Sequence, residues 1–200
     1  MSAPWVFLAV ASTCLVCASS GAHAESLGDG VLHELNLART EPAAYARVLE
    51  KEAESARPAA SSFAYEDRNA LEEAIDFLQA QRPLPPLRPN SKLGAAALDH
   101  ALAQGRTGGF GHVGVDGASL SDRLHRHGVW ASVAAEDISY GYRTPRDVAR
   151  QLIVDSGVPN RGHRNNIFEA AYQAAGVGCG RHARYGALCV IDFAGAPVRR

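Results

Sequence analysis

Three features of the chain predict an α+β fold. Helix-period apolar patterning fills its first half. Short helical and short extended stretches, separated by glycines, fill its second half. The order is helices first and strands late, which favours α+β layers over a wound β-α-β sheet. No internal repeat is present, so residues 25–200 read as one domain.

The elements follow in order. Asp29 is a plausible cap for a helix from about residue 30 to Thr40, with Val31, Leu32, Leu35 and Ala38 on one face. Pro42 suits the first turn of a second helix, with Tyr45, Val48 and Leu49 as its stripe. Residues 59–65 read as loop. Leu71, Ile75 and Leu78 mark a third helix over 66–80. The proline-rich run 83–89 is extended and stiff, with leucines that lie against the body. Ser91 caps a fourth helix to about Gln104, whose alanines allow close packing. A glycine-rich loop containing His112 follows. Ser119 or Ser121 caps a short helix that Gly128 stops. Residues 133–140 are extended. Thr144-Pro145-Arg146-Asp147 starts another helix by cap, proline at N1 and acid at N3. Two strands finish the chain.

Composition excludes some functions. The chain of 200 residues is 46% apolar and 20% charged, with net charge −1. That balance gives no basis for a nucleic-acid or anionic-membrane partner. The basic run 123–127 and Arg199-Arg200 read as solvated surface. Met1 to Ala24 lacks Lys, Arg, Asp and Glu, carries an apolar run from Trp5 to Cys17, and ends in Ala22-His23-Ala24. This is the form of a signal peptide with its cleavage site. The run is shorter than the ~20 residues that span a membrane. Residues 1–24 are therefore expected to be removed, giving a secreted or periplasmic product with no stable membrane span.

Cys179 and Cys189 then remain. In an exported chain such a pair suggests a disulfide. A hairpin centred on Arg184 with an odd-numbered loop sets the two cysteines opposite each other, at ~4.5 Å between Cα atoms for a non-hydrogen-bonded pair.

The polar run Arg161-Gly162-His163-Arg164-Asn165-Asn166 is too costly to bury without partners. It is an exposed loop or the wall of a site. His112 and His163 each follow a glycine in such a segment, where sites tend to form. His33 and His100 read as helix-packing or surface residues, and His125, His127 and His182 as solvated. Glu136 and Asp137 lie in an extended stretch, so they point to opposite faces. No Gly-x-Ser-x-Gly elbow, reactive mature thiol, phosphate loop or zinc-protease helix is present.

Four segments, in order, resemble motifs of the CAP superfamily, the SCP-like extracellular domain of cysteine-rich secretory proteins, antigen 5 and pathogenesis-related proteins. The likeness is greatest to bacterial-type members. The segments are 35–42, Gly111-His112 with Asp116-Gly117, Ala135-Glu136-Asp137-Ile138, and 161–167. The resemblance implies a three-layer α-β-α sandwich with a central cleft. It implies that His112, Glu136 and His163 line that cleft and could hold Zn2+ or another divalent metal. Asp116 is the nearest match to a second cleft acid, and it also sits where it could only make the turn. Asp137 stands where the family usually has Asn, which would change its partner to Arg164 or Arg123. Arg123, Arg164 and Asn166 are expected to support the site, and Gly162 to present His163.

The expected function is a secreted, non-enzymatic binding module for a metal, a small molecule, a lipid or a cell-envelope ligand. The alternative is a metal-dependent, peptidase-like hydrolase with Glu136 as base. A structural hydrogen-bond network is the third reading of the same residues.

Overall fold

The computed structural model describes residues 26–55 and 66–196. The expected signal peptide lies outside the described residues. The fold is α+β, as the patterning predicts, and it forms the α-β-α sandwich that the family resemblance implies. In order it contains α1 (Leu27–Thr40), α2 (Pro42–Ser55), α3 (Arg68–Ala80), β1 (Arg88–Pro89), α4 (Ser91–Thr107) and α5 (Leu120–Arg126). β2 (Ala134–Tyr140), α6 (Pro145–Val154), α7 (Gly162–Ile167), β3 (Ala174–Gly180) and β4 (Leu188–Ala194) follow. The sheet order is β1-β3-β4-β2, with β1 parallel to β3 and the other pairs antiparallel.

β4 is buried on both faces, so its apolar residues divide by parity. Cys189, Ile191 and Phe193 join the core built by α1, α2, α3, α6 and α7. Leu188 and Val190 pack with Ala97 and Ala101 of α4 on the opposite face. The α4 layer sits unusually close to the sheet. A Cβ on Gly176 would fall 1.9 Å from the Gly94 amide nitrogen, and one on Gly178 2.1 Å from that of Leu98. The glycines of β3 are therefore required by the helix above them.

Arg39 ties the termini of several elements together. Its guanidinium is 1% exposed and donates to the carbonyls of Pro85 at 3.2 Å, Ile167 at 2.5 Å and Glu169 at 3.2 Å. Asn36 clamps Leu87, accepting from its N–H and donating to its carbonyl. The proline-rich segment is thus held extended along the body, as expected, and its end adds β1 to the sheet.

Several local expectations differ from what is found. Ser26, not Asp29, caps α1, because its hydroxyl reaches the Asp29 amide. Asn90, not Ser91, caps α4, accepting from two amides. Ser119 caps α5 through a reciprocal box with Asp122. Arg123 is buried rather than solvated, since it has a carboxylate partner inside. His182 is also buried, at 3% exposure, because both ring nitrogens have backbone partners.

The hairpin forms in the expected register. Cys179 pairs with Cys189, and the disulfide joins them with Cα atoms 4.1 Å apart. Replacing both cysteines by alanine is expected to cost about 2–3 kcal/mol, roughly 5–10 °C in Tm, measured by thermal unfolding without reductant. An unchanged Tm would mean that the sheet alone fixes the hairpin.

Candidate functional site

Three residues with left-handed backbone introduce His163. Asp155, Asn160 and Arg161 have φ of 56°, 61° and 51°, and they are the positive-φ non-glycine residues among those described. Such conformations cost energy and persist where the surroundings impose them. Here the imposing group is Asp155, which closes α6 and is fully buried. Its Oδ2 accepts from the amides of His163 at 2.9 Å and Arg164 at 3.4 Å, and its Oδ1 meets His163 Nδ1 at 2.6 Å. A carboxylate thus satisfies the first amides of α7 and orients its histidine. The run expected as a loop is a short helix for this reason.

Arg164 and Asn166 brace α7. Arg164 donates to the carbonyls of Ile153 and Val154 and to Glu73 Oε1 at 3.0 Å. Arg161 meets the other oxygen of Glu73 at 2.6 Å. Asn166 Nδ2 donates to Asp137 Oδ1 at 2.7 Å. Asp137 therefore pairs with Asn166, not with Arg164 or Arg123, since those guanidiniums are engaged elsewhere.

His112 is mounted differently. Its Nδ1 lies 2.9 Å from Glu136 Oε1, and Arg123 Nη2 donates to Glu136 Oε2 at 2.5 Å. Arg123 Nη1 also holds the His112 carbonyl at 2.8 Å. The loop before it is sewn to α4 and β2. Gly111 donates to the Tyr140 hydroxyl at 2.9 Å, and that hydroxyl donates to Gln104 Oε1 at 2.8 Å. Gln104 and His100 both reach the Gly111 carbonyl. His100 is thus a loop anchor on a helix.

Asp192 stands opposite Glu136 on β4, also buried, and neither of its oxygens has a donor among the described residues. Burial and the neighbouring Glu136 charge push its carboxyl well above the usual range, against the pull of Arg123. Glu136 moves the other way. Burial opposes its ionisation, yet the His112 hydrogen bond and the Arg123 charge hold it below the usual carboxylate range. Burial lowers His100, against the raising charge of Glu136. His163 is raised: burial works against it, but the Asp155 hydrogen bond and the charges of Asp137 and Asp155 prevail.

His112 and His163 line one cavity of about 420 Å³, with Phe110, Tyr140, Tyr142 and Gln151 among its other walls. His112 is the more open, with 57% of its side chain exposed against 19% for His163. Each ring has its Nδ1 on a carboxylate and its Nε2 without a hydrogen-bond partner among the described residues. Glu136 stands behind His112, with both oxygens occupied, rather than in the cavity wall. Asp116 lies in a separate concavity, bonded to the Ala118 amide and to Arg126. The second acid beside the histidines is Asp155. Its Asp-Ser-Gly setting reads in sequence as a helix end, so its role needed the fold.

A divalent metal fits part of this set. Two imidazole nitrogens backed by carboxylates match the usual outer-shell support of zinc-binding histidines. Glu136 is already committed to His112 and Arg123. Among the described residues, no three His, Cys, Asp or Glu side chains converge as a metal site.

The chain belongs to the cysteine-rich secretory protein family (CAP), whose model matches residues 32–193. Among solved structures it is similar to an extracellular protein containing a SCP domain from Bacillus anthracis. That match has a TM-score of 0.47 and 19% identity, over 66% of this chain and 41% of that one. An outer surface protein of Borrelia burgdorferi gives a TM-score of 0.47 and 18% identity, over 56% and 79%. A cysteine-rich secretory protein of Staphylococcus aureus gives 0.44 and 17%, over 71% and 42%. The chain thus spans about two fifths of the Bacillus and Staphylococcus proteins. No curated protein matches the sequence. No helix among the described residues is long and apolar enough to cross a membrane.

Asp137 offers a test of the buried polar layer. Burial pushes its carboxyl up to about 8, partly offset by His163 and the Asn166 hydrogen bond. A raised acid stabilises the fold fully at low pH and loses that contribution as pH climbs from the ordinary carboxylate range toward its folded value. D137N removes the loss and keeps an acceptor for Asn166. Its Tm should exceed that of the wild type at pH near 8 by roughly 2–4 °C, for a gain of about 1 kcal/mol. The difference should shrink toward pH near 5. An equal Tm difference at both pH values contradicts this assignment.

Proposed function

We propose that this protein is an exported binding module whose cavity between His112 and His163 captures a divalent metal, zinc being the best match, together with a small or cell-envelope ligand. The observation that carries the reading is the shared geometry of the two rings: each is fixed through Nδ1 by a carboxylate, and both border one cavity. The metal would be held by the two Nε2 atoms and completed by solvent or ligand oxygen, where it would act as a Lewis-acid anchor. Phe110, Tyr140 and Tyr142 supply apolar wall, and the unpartnered buried Oε1 of Gln151 supplies an acceptor.

Catalysis is not favoured. Glu136 is held ionised by two partners and its depressed pKa makes it a weak base. Export is supported by the apolar N-terminal segment with its small-x-small ending and by the Cys179–Cys189 disulfide.

The test is calorimetric titration with zinc. The wild type should give a saturable heat, and the double variant H112A/H163A should lose it. Because the His163 pKa is raised, protons compete with the metal, and affinity should fall as the pH is lowered. Equal heats for the two proteins would contradict the proposal.

A further inference from the structure

Several arginines of this fold have an assigned carboxylate. Arg123, Arg146, Arg150, Arg161 and Arg164 all meet glutamates. Arg106, Arg143 and Arg181 do not. They come from the last turn of α4, the β2–α6 connection and the β3–β4 loop, and they line one open concavity of about 680 Å³. No carboxylate lines it, and none of the three side chains has an ion-pair or hydrogen-bond partner among the described residues. Arg106 also complements the C-terminal end of the α4 dipole. That accounts for one cation and leaves the other two.

The frame of this concavity is rigid. A Cβ on Gly105 would fall 2.1 Å from the Arg181 carbonyl oxygen, so α4 touches the loop directly. Ala183 donates to the Gly105 carbonyl at 2.9 Å, and Gly141 to that of Ala187 at 2.8 Å. His182 accepts from the amides of Arg184 and Tyr185 on Nδ1 and donates from Nε2 to the Gly109 carbonyl. Both of its ring nitrogens are thus tied to the backbone. The Arg143 guanidinium lies over Gly186, where a Cβ would fall 2.6 Å from Nη2. The disulfide joins the two strands one residue pair before this loop.

One aromatic ring stands next to the concavity: Tyr185 lies 5.0 Å from His182, which lines it, between ring centroids. Tyr185, in the same loop, lies 5.3 Å from Tyr140 and 6.5 Å from Phe110 between ring centroids, and Phe110 stacks on Tyr140 at 4.8 Å. Tyr185 is 37% exposed, so part of its ring is open to a ligand. Phe110 and Tyr140 line the histidine cavity instead.

We infer that this concavity is a second binding site, for an anionic polysaccharide. Its acidic groups pair with Arg106, Arg143 and Arg181, and the apolar face of a sugar ring lies on Tyr185. A volume of this size suits an oligosaccharide segment better than a single ion, given that ligand sites run about 300–1,000 Å³. The overall charge of −1 argues against a long nucleic acid, which needs an extended basic surface.

The test titrates the intact protein with a heparin hexasaccharide, neutral chitohexaose, sodium sulfate and short single-stranded DNA. Heparin should bind with an affinity that falls as salt rises. R106Q/R143Q/R181Q should weaken it by roughly ten-fold or more, as loss of several charge-assisted contacts requires. Y185S should also weaken it while keeping the salt dependence, which separates the ring contact from the charges. The charge-matched control R47Q/R68Q/R82Q, at exposed positions elsewhere, should bind as the wild type does. Circular dichroism establishes that each variant is folded. Heparin binding unchanged in the first variant, or equally weakened in the control, overturns the site. So does binding of chitohexaose or DNA as tight as that of heparin, or full competition by sulfate at matched concentration. The zinc titration reads the histidine cavity, so either result can fail alone.

Discussion

The carboxylate of Asp155 organises the half of the molecule that carries His163. It is fully buried, sits in a left-handed conformation at the end of α6, and accepts from two amides and one imidazole of α7. A buried charge without partners would cost several kcal/mol, on the order of 3–5 when one partner of a pair is removed. Here every partner belongs to the next helix. The satisfaction of one acid therefore dictates where the chain turns, where α7 starts and how the imidazole is aimed. Arg161 and Arg164 then pin this turn to α3 through Glu73.

The second histidine is reached from the other side of one strand. Adjacent residues of β2 point to opposite faces of the sheet, so Glu136 supports His112 while Asp137 supports α7 through Asn166. The two mounts differ in electrostatics. Around Glu136, one guanidinium offsets a carboxylate whose neighbour Asp192 is driven toward its neutral form. Around Asp137, burial outweighs the pull of His163 and of the Asn166 hydrogen bond, and the carboxyl is driven toward its neutral form as well. On each side of the sheet, one acid meets a histidine and a second buried acid is driven toward its neutral form.

The fold was legible wherever periodicity and punctuation carried it. The apolar stripe of α1, the Thr144-Pro145 start of α6 and the parity of Cys179 and Cys189 are all local features of the chain. Ser26 and Asn90 were missed as caps because a neighbouring polar residue offered the same chemistry and only geometry separates them. The two histidines of the candidate cavity were legible because their segments resemble CAP motifs, whereas Glu136, expected in the same wall, stands behind His112. Asp155 was not legible, because its partners lie in the next helix and its Asp-Ser-Gly context reads as an ordinary helix end. Arg123 and His182 looked solvated among charged neighbours, and burial of such groups depends on partners distant in sequence or on backbone contacts that no pattern displays.

The central claim is that two carboxylates fix the histidines through Nδ1 and leave Nε2 of both rings to one cavity. Long-range proton–nitrogen correlation spectra of the imidazoles test it most directly, recorded at alkaline pH before and after one equivalent of zinc. The account predicts Nδ1-protonated tautomers for His112 and His163, with zinc shifting the Nε2 resonance of both. An Nε2-protonated tautomer at either ring, or zinc shifting only one of them, would contradict it.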